Sequence, residues 1–166
     1  VWGAAQIEAA VARLRLAGGA AVLEAHRRFA DQYVEAIALD GAGHVLVSHR
    51  AFSTWYGYRW ADGATDAGQK LTILDAAAAQ LDPLATVAVD GWATLKDARA
   101  GRALFQVPGG LLVFNLETPT APWPQAFFAT KGWPSEIVVD GRKILFAAGR
   151  YGIYEFDLDR SNLTVP

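Results

Sequence analysis

The chain contains no cysteine. Disulfides, thiolate nucleophiles and cysteine-ligated zinc or iron–sulfur sites are therefore excluded. The compartment stays open, because disulfide-free proteins occur on either side of a membrane. Methionine is absent too, even at the first position. A chain that begins at Val1 reads as a processed product, an excised piece, or a longer chain numbered from its first ordered residue. No stretch approaches the roughly 18 uninterrupted apolar residues of a membrane span. The basic–apolar–small pattern of a signal peptide is missing, as it would be from a mature secreted chain. Lys and Arg form no long run, and a net charge of −2 gives no global field for nucleic acid or an anionic membrane. GxSxG, GxGxxG and Walker patterns are absent as well, so serine hydrolysis and nucleotide binding gain no support.

What is present favours a β-domain. The 166 residues are 52% hydrophobic, enough for a sizeable core, and Trp, Tyr and Phe are plentiful. Val1–Val11 is ambiguous: Ile7, Ala10, Val11 and Leu14 fall at helical spacing, so a short helix before Ala12 competes with a strand. The alternation at Arg13–Leu16 and the hairpin signal Gly18-Gly19 favour two strands. Tyr33–Leu39 and His44–Ser48 then pair across Asp40–Gly43. His49–Gln69 has no sustained period and is rich in aromatics; a structureless segment of that length is often functional. Lys70–Leu74 and Leu84–Val89 resume the strand pattern, with Ala76–Ala79 between them long enough for one helical turn. Further strands are expected at Thr94–Ala98, Ala103–Val107, Leu111–Leu116, Gln125–Ala129, Ser135–Val139, Ile144–Ala148 and Ile153–Leu158.

These strands repeat. Gly91-Trp92 aligns with Gly132-Trp133, a period of about 41 residues within the range of propeller blades. GRALF at Gly101–Phe105 matches GRKILF at Gly141–Phe146, and GLLVFNL at Gly110–Leu116 matches GIYEFDL at Gly152–Leu158. A more diverged unit begins near Tyr33, where AIALDG (Ala36–Gly41) matches EIVVDG (Glu136–Gly141). Four short strands per unit at this period predict an all-β chain: a partial β-propeller of about three to four four-stranded antiparallel blades. The units are a trailing half-blade (1–32), a blade with the long insertion 49–69 (33–90), a full blade (91–131) and an incomplete blade (132–166). Such a set leaves open sheet edges and uncovered faces. The expectation is completion by another polypeptide, either the rest of a cleaved precursor or a second copy. A closed small sandwich of the single chain is the alternative.

The segments Gly110–Trp123 and Gly132–Leu158 resemble bacterial secreted β-propeller-domain proteins distantly related to tryptophan–aspartate repeats, over roughly Tyr33 to Leu158. The resemblance implies a secreted or cell-envelope location and a binding or scaffolding role. It brings no catalytic motif, and the 49–69 insertion departs from its pattern.

In a meander, the links from second to third strand share an end with the links between units. The insertion, Asp90–Trp92, Pro108–Gly110, Lys131–Trp133 and Gly149–Gly152 should therefore form one rim. Trp55, Tyr56, Tyr58, Arg59, Trp60, Trp92, Trp133, Arg150 and Tyr151 are its candidate partner-binding residues, being of types that dominate recognition hot spots. Trp92 and Trp133 recur at one repeat position, which also fits packing between neighbouring units. His26, His44 and His49 form no metal-type pair, Asp157 and Asp159 lack further oxygen ligands, and Asp40, Asp90 and Asp140 are explained by Asp-Gly turns. Ser48 and His49 should point to opposite faces. Neither metal nor cofactor is expected. The leading expectation is a noncatalytic module that binds a protein or cell-surface partner. A hydrolase or lyase with its site on the rim, and a purely structural subunit of a larger assembly, are the alternatives.

Overall fold

The computed structural model describes residues 8–51, 68–132 and 136–158. The described chain is all-β and falls into four antiparallel sheets that each run in sequence order. The first is a hairpin of β1 (Glu8–Ala17) and β2 (Ala20–Ala30). The second holds β3 (Gln32–Leu39), β4 (His44–Ala51), β5 (Gln69–Asp75) and β6 (Pro83–Val89). The third holds β7 (Thr94–Arg99), β8 (Arg102–Val107), β9 (Gly110–Asn115) and β10 (Trp123–Ala129). The fourth has β11 (Glu136–Asp140), β12 (Lys143–Ala147) and β13 (Ile153–Asp157), with a single 3-10 turn at Gly149–Tyr151 before β13.

The sheets stack face to face in chain order. Val11, Ala25 and Phe29 of the hairpin meet Val45, Val47 and Leu74 of the second sheet. The opposite face of that sheet, through Leu46, Leu71 and Ile73, meets Leu95, Ala103, Phe105 and Phe114 of the third. The far side of the third sheet, through Leu104, Leu111, Val113 and Phe128, meets Ile144 and Phe146 of the fourth. Phe128 and Phe156 stack across that last junction with ring centroids 4.6 Å apart. Burial follows the layering. Strands β4, β5, β8 and β9 are buried on both faces and carry near-continuous apolar runs, whereas β11 and β13 alternate with period two.

The repeat read from the sequence has a backbone counterpart. Ala76 N–H donates to Gly43 O at 3.0 Å, Leu116 N–H to Gly101 O at 2.7 Å and Leu158 N–H to Arg142 O at 2.9 Å. In the second, third and fourth sheets the chain leaving the third strand is thus tied to the turn that enters the second. Gly110 opens β9 beside β10, and a Cβ there would lie 2.2 Å from Phe128 O, so no other residue fits without moving the strand.

Two readings left open by the sequence are decided, and one boundary moves. The first strand begins by Glu8, so the competing helix before Ala12 does not form across 8–11. Ala76–Ala79 makes no helical turn. Asp75 Oδ1 accepts from Ala77 N–H at 2.8 Å, an Asx turn that competes with the helix, and the loop folds back to bury Leu81. The freed carbonyls of Ala76 and Ala78 accept from Arg13, which pins the hairpin to the second sheet. The 49–69 segment is shorter than expected at both ends, since β4 runs to Ala51 and β5 starts at Gln69. Among the described residues no strand pairing closes the stack into a sealed sandwich.

Leu111 and Ile153 occupy the same repeat position but differ in cover: 0% against 74% exposed. Leu111→Ala should cost about 2–5 kcal/mol and Ile153→Ala less than about 1 kcal/mol, read by denaturant unfolding. Equal losses would contradict the stacking order.

Candidate partner-binding rim

At the start of β3 and the end of β4, Tyr33 pairs directly with Arg50. The register shifts between Val34 and Ala36, leaving Glu35 as an extra residue in β3. Such a bulge re-aims side chains, and Glu35 Oε1 meets Arg50 Nη2 at 2.9 Å. The Arg50 guanidinium carbon lies 4.6 Å from the Trp92 ring centroid and 5.9 Å from that of Tyr33. Trp92 belongs to the 90–93 link between β6 and β7. The end of β4, from which the 52–67 segment departs, therefore shares a rim with the link between the second and third sheets. Trp92 is 69% exposed and Tyr33 49%, so neither ring is packed between sheets.

A second cluster sits where the third sheet meets the fourth. Arg150 lies 5.0 Å from the Tyr151 ring centroid, and its Nη2 donates to Tyr151 Oη at 2.8 Å. The Tyr151 ring rests against Gly132, where a Cβ would come within 2.5 Å of Cδ2. Lys131 N–H donates to Tyr154 Oη at 3.3 Å, and Thr130 N–H to Gly109 O at 2.8 Å. The links at 108–110, 130–132 and 149–152 thus adjoin one another.

Of the residues singled out in the sequence, Trp92, Arg150 and Tyr151 are exposed, in two clusters rather than one. Trp55, Tyr56, Tyr58, Arg59, Trp60 and Trp133 lie outside the described residues, as does Asp159. Tyr33 and Arg50 escaped the sequence reading. Arg50 was assigned to the irregular segment, and its place opposite Tyr33 depends on the bulge.

No family model, curated protein or solved structure matches this chain. Arg50 and Arg150 are each held against an aromatic ring and by a polar partner, which lowers the entropy a partner protein must overcome to engage them. The adjacent Ser48 and His49 do not converge into a nucleophile–base pair. Ser48 Oγ accepts from Gln69 Nε2 at 2.6 Å on one face of β4, while His49 reaches Thr72 on the other. His44 is spent on the Asp40 turn, with Nδ1 2.6 Å from Oδ2. Burial pushes the Asp40 pKa up, but hydrogen bonds from His44 and from the Ala42 and His44 amides outweigh it and hold the carboxyl below its ordinary value. Among the described residues no group of three His, Asp or Glu side chains could hold a metal ion.

His49 lies just beneath the rim and is buried. Burial, then the charge of Lys70, push its pKa down to about 4 from 6.5. Native His49 is thus neutral where the unfolded chain is already taking up a proton. The contribution of this group to stability should be level above about pH 6.5 and fall as pH drops towards 4, by about 3 kcal/mol in all. Chemical denaturation at a series of pH values checks this, and His49→Phe should flatten that part of the profile. An unchanged slope in the variant would contradict the assignment.

Proposed function

We propose that the chain is a noncatalytic β-propeller portion that binds a protein or cell-surface partner through its rim. The observation that carries this reading is the Tyr33–Arg50–Trp92 cluster. Two large exposed rings flank a half-buried guanidinium at a junction between sheets, where an isolated domain would gain by covering the rings. Aromatic and arginine side chains in such an arrangement are those that dominate binding energy in protein interfaces.

The propeller reading is supported by the successive four-stranded meanders, the face-to-face order of the sheets and the repeated hydrogen bond at each third-strand exit. Completion by another polypeptide is supported by the outer face of the fourth sheet. Ile153 and Val138 are 74% and 52% exposed there, while the equivalent Leu111 of the third sheet is covered by its neighbour. The missing sheets come from a second copy or from the rest of a cleaved precursor. Placement outside the cell or in the bacterial envelope follows from the resemblance alone. A rim hydrolase is less well supported, since the cluster's carboxylate, Glu35, is engaged by Arg50.

The test is binding of envelope and secreted fractions to the immobilised chain, compared with the variant carrying Trp92→Ala and Arg50→Ala. Trp92 is largely in solvent, while Arg50→Ala also removes the ion pair with Glu35, so the melting temperature should fall by no more than a few degrees. Partner retention should drop at least about tenfold. Equal retention by both proteins would count against the rim, and a large loss of stability would show that the cluster is structural.

A further inference from the structure

The junction between the hairpin and the second sheet is not dry throughout. Its inner half is apolar, but towards the rim the second sheet presents His49, Lys70, Thr72 and Thr86 on the same face. Opposite them, Arg27 lies in the inward-facing row of β2, between the buried Ala25 and Phe29. Together with Arg28, Phe29, Gln32 and Pro83 these residues line a cavity of about 270 Å³. Its described lining contains two arginines and a lysine and no carboxylate. Arg28 is well exposed and meets Glu8 at 3.5 Å. Arg27 and Lys70 are half-buried on the two facing sides of the cavity.

The neutral groups are ordered by one hydrogen-bonded chain. Gln32 Oε1 is an acceptor, so His49 Nδ1–H donates to it at 3.2 Å. His49 Nε2 then accepts from Thr72 Oγ1–H at 2.8 Å, and Thr72 Oγ1 accepts from Thr86 at 2.9 Å. With its oxygen engaged, the Gln32 amide has N–H donors to offer. Arg27, Lys70 and Gln32 thus supply donors to the cavity, and Thr86 oxygen remains able to accept.

We propose that this cavity binds a phosphate monoester of a small polar alcohol. A dianion with three peripheral oxygens suits two facing cations and an amide donor better than a carboxylate does. The volume corresponds to about nine waters, more than the five heavy atoms of phosphate fill. The ester's organic body lies along Thr72 and Thr86, against Phe29 and Pro83. This site is separate from the rim cluster, being built on the other face of β4 and on the hairpin.

The experiment is calorimetric titration of the full chain, at fixed ionic strength, with glycerol phosphate, inorganic phosphate, acetate and glycerol. Saturable one-to-one binding is expected for glycerol phosphate, weaker binding for inorganic phosphate, and none for glycerol or acetate. Arg27→Gln and Lys70→Gln should each weaken binding at least about tenfold, with Arg27→Lys partly retaining it and Trp92→Ala leaving it unchanged. In the native chain, where no variant is needed, glycerol phosphate should raise the His49 pKa seen by NMR, because a bound anion offsets the charge of Lys70. Absence of saturable phosphate binding, insensitivity to Arg27→Gln and Lys70→Gln, or an unmoved His49 titration would overturn the proposal. Equal affinity for acetate would replace it with a carboxylate site.

Discussion

Burial of the two middle sheets on both faces is the constraint from which the rest of the structure follows. A four-stranded antiparallel sheet with apolar residues on both sides cannot stand in water; each face needs a neighbour. The second sheet is covered by the hairpin and the third sheet, and the third by the second and fourth. This explains why HVLVS, LTILD, ALFQV and LLVFNL are largely apolar on both faces, and why GIYEFDL alternates. Glu155 of the fourth sheet stands where Val113 stands in the third, and pairs with Lys143 at 2.7 Å. A charged pair is tolerable on that face because nothing in the described chain covers it.

Polar chemistry collects where this burial runs out. At the rim the links leave the sheets, and arginines there are ordered by rings rather than by carboxylates alone. Beneath the rim, the two-stranded hairpin covers the second sheet only in part, and the remainder is polar. His49 belongs to both settings. It touches the buried Phe29 ring at 4.8 Å and anchors the hydrogen-bonded chain to Thr86. The rim and the cavity lie on different faces of β4, so a ligand in one need not compete with a partner on the other.

Much of the architecture was legible in the sequence because it is local. Gly18-Gly19 marked the first hairpin, and both residues have positive φ, 57° and 80°. The 41-residue period and the Gly-Arg and Asp-Gly turns placed the later strands to within a residue or two. What was not legible depends on register and docking. The bulge at Glu35 sets which side chain meets Arg50, and no composition signal announces it. Arg27 reads as a surface residue until Ala25 and Phe29 are seen to face the second sheet. The alanine run at 76–79 has helical propensity, but Asp75 and the burial of Leu81 override it. Of the candidate residues, Trp92, Arg150 and Tyr151 could be named from residue type and link position, whereas Tyr33, Arg50 and the cavity needed the fold.

The central claim is the stacking order, with the second and third sheets inside and the hairpin and fourth sheet outside. Native-state hydrogen exchange resolved by residue tests it most directly. The slowest amides should belong to β4, β5, β8 and β9, opening only with global unfolding, while β1, β2 and β13 exchange through smaller openings. Maximal protection in the hairpin or in β13, with faster exchange in β8 and β9, would contradict it.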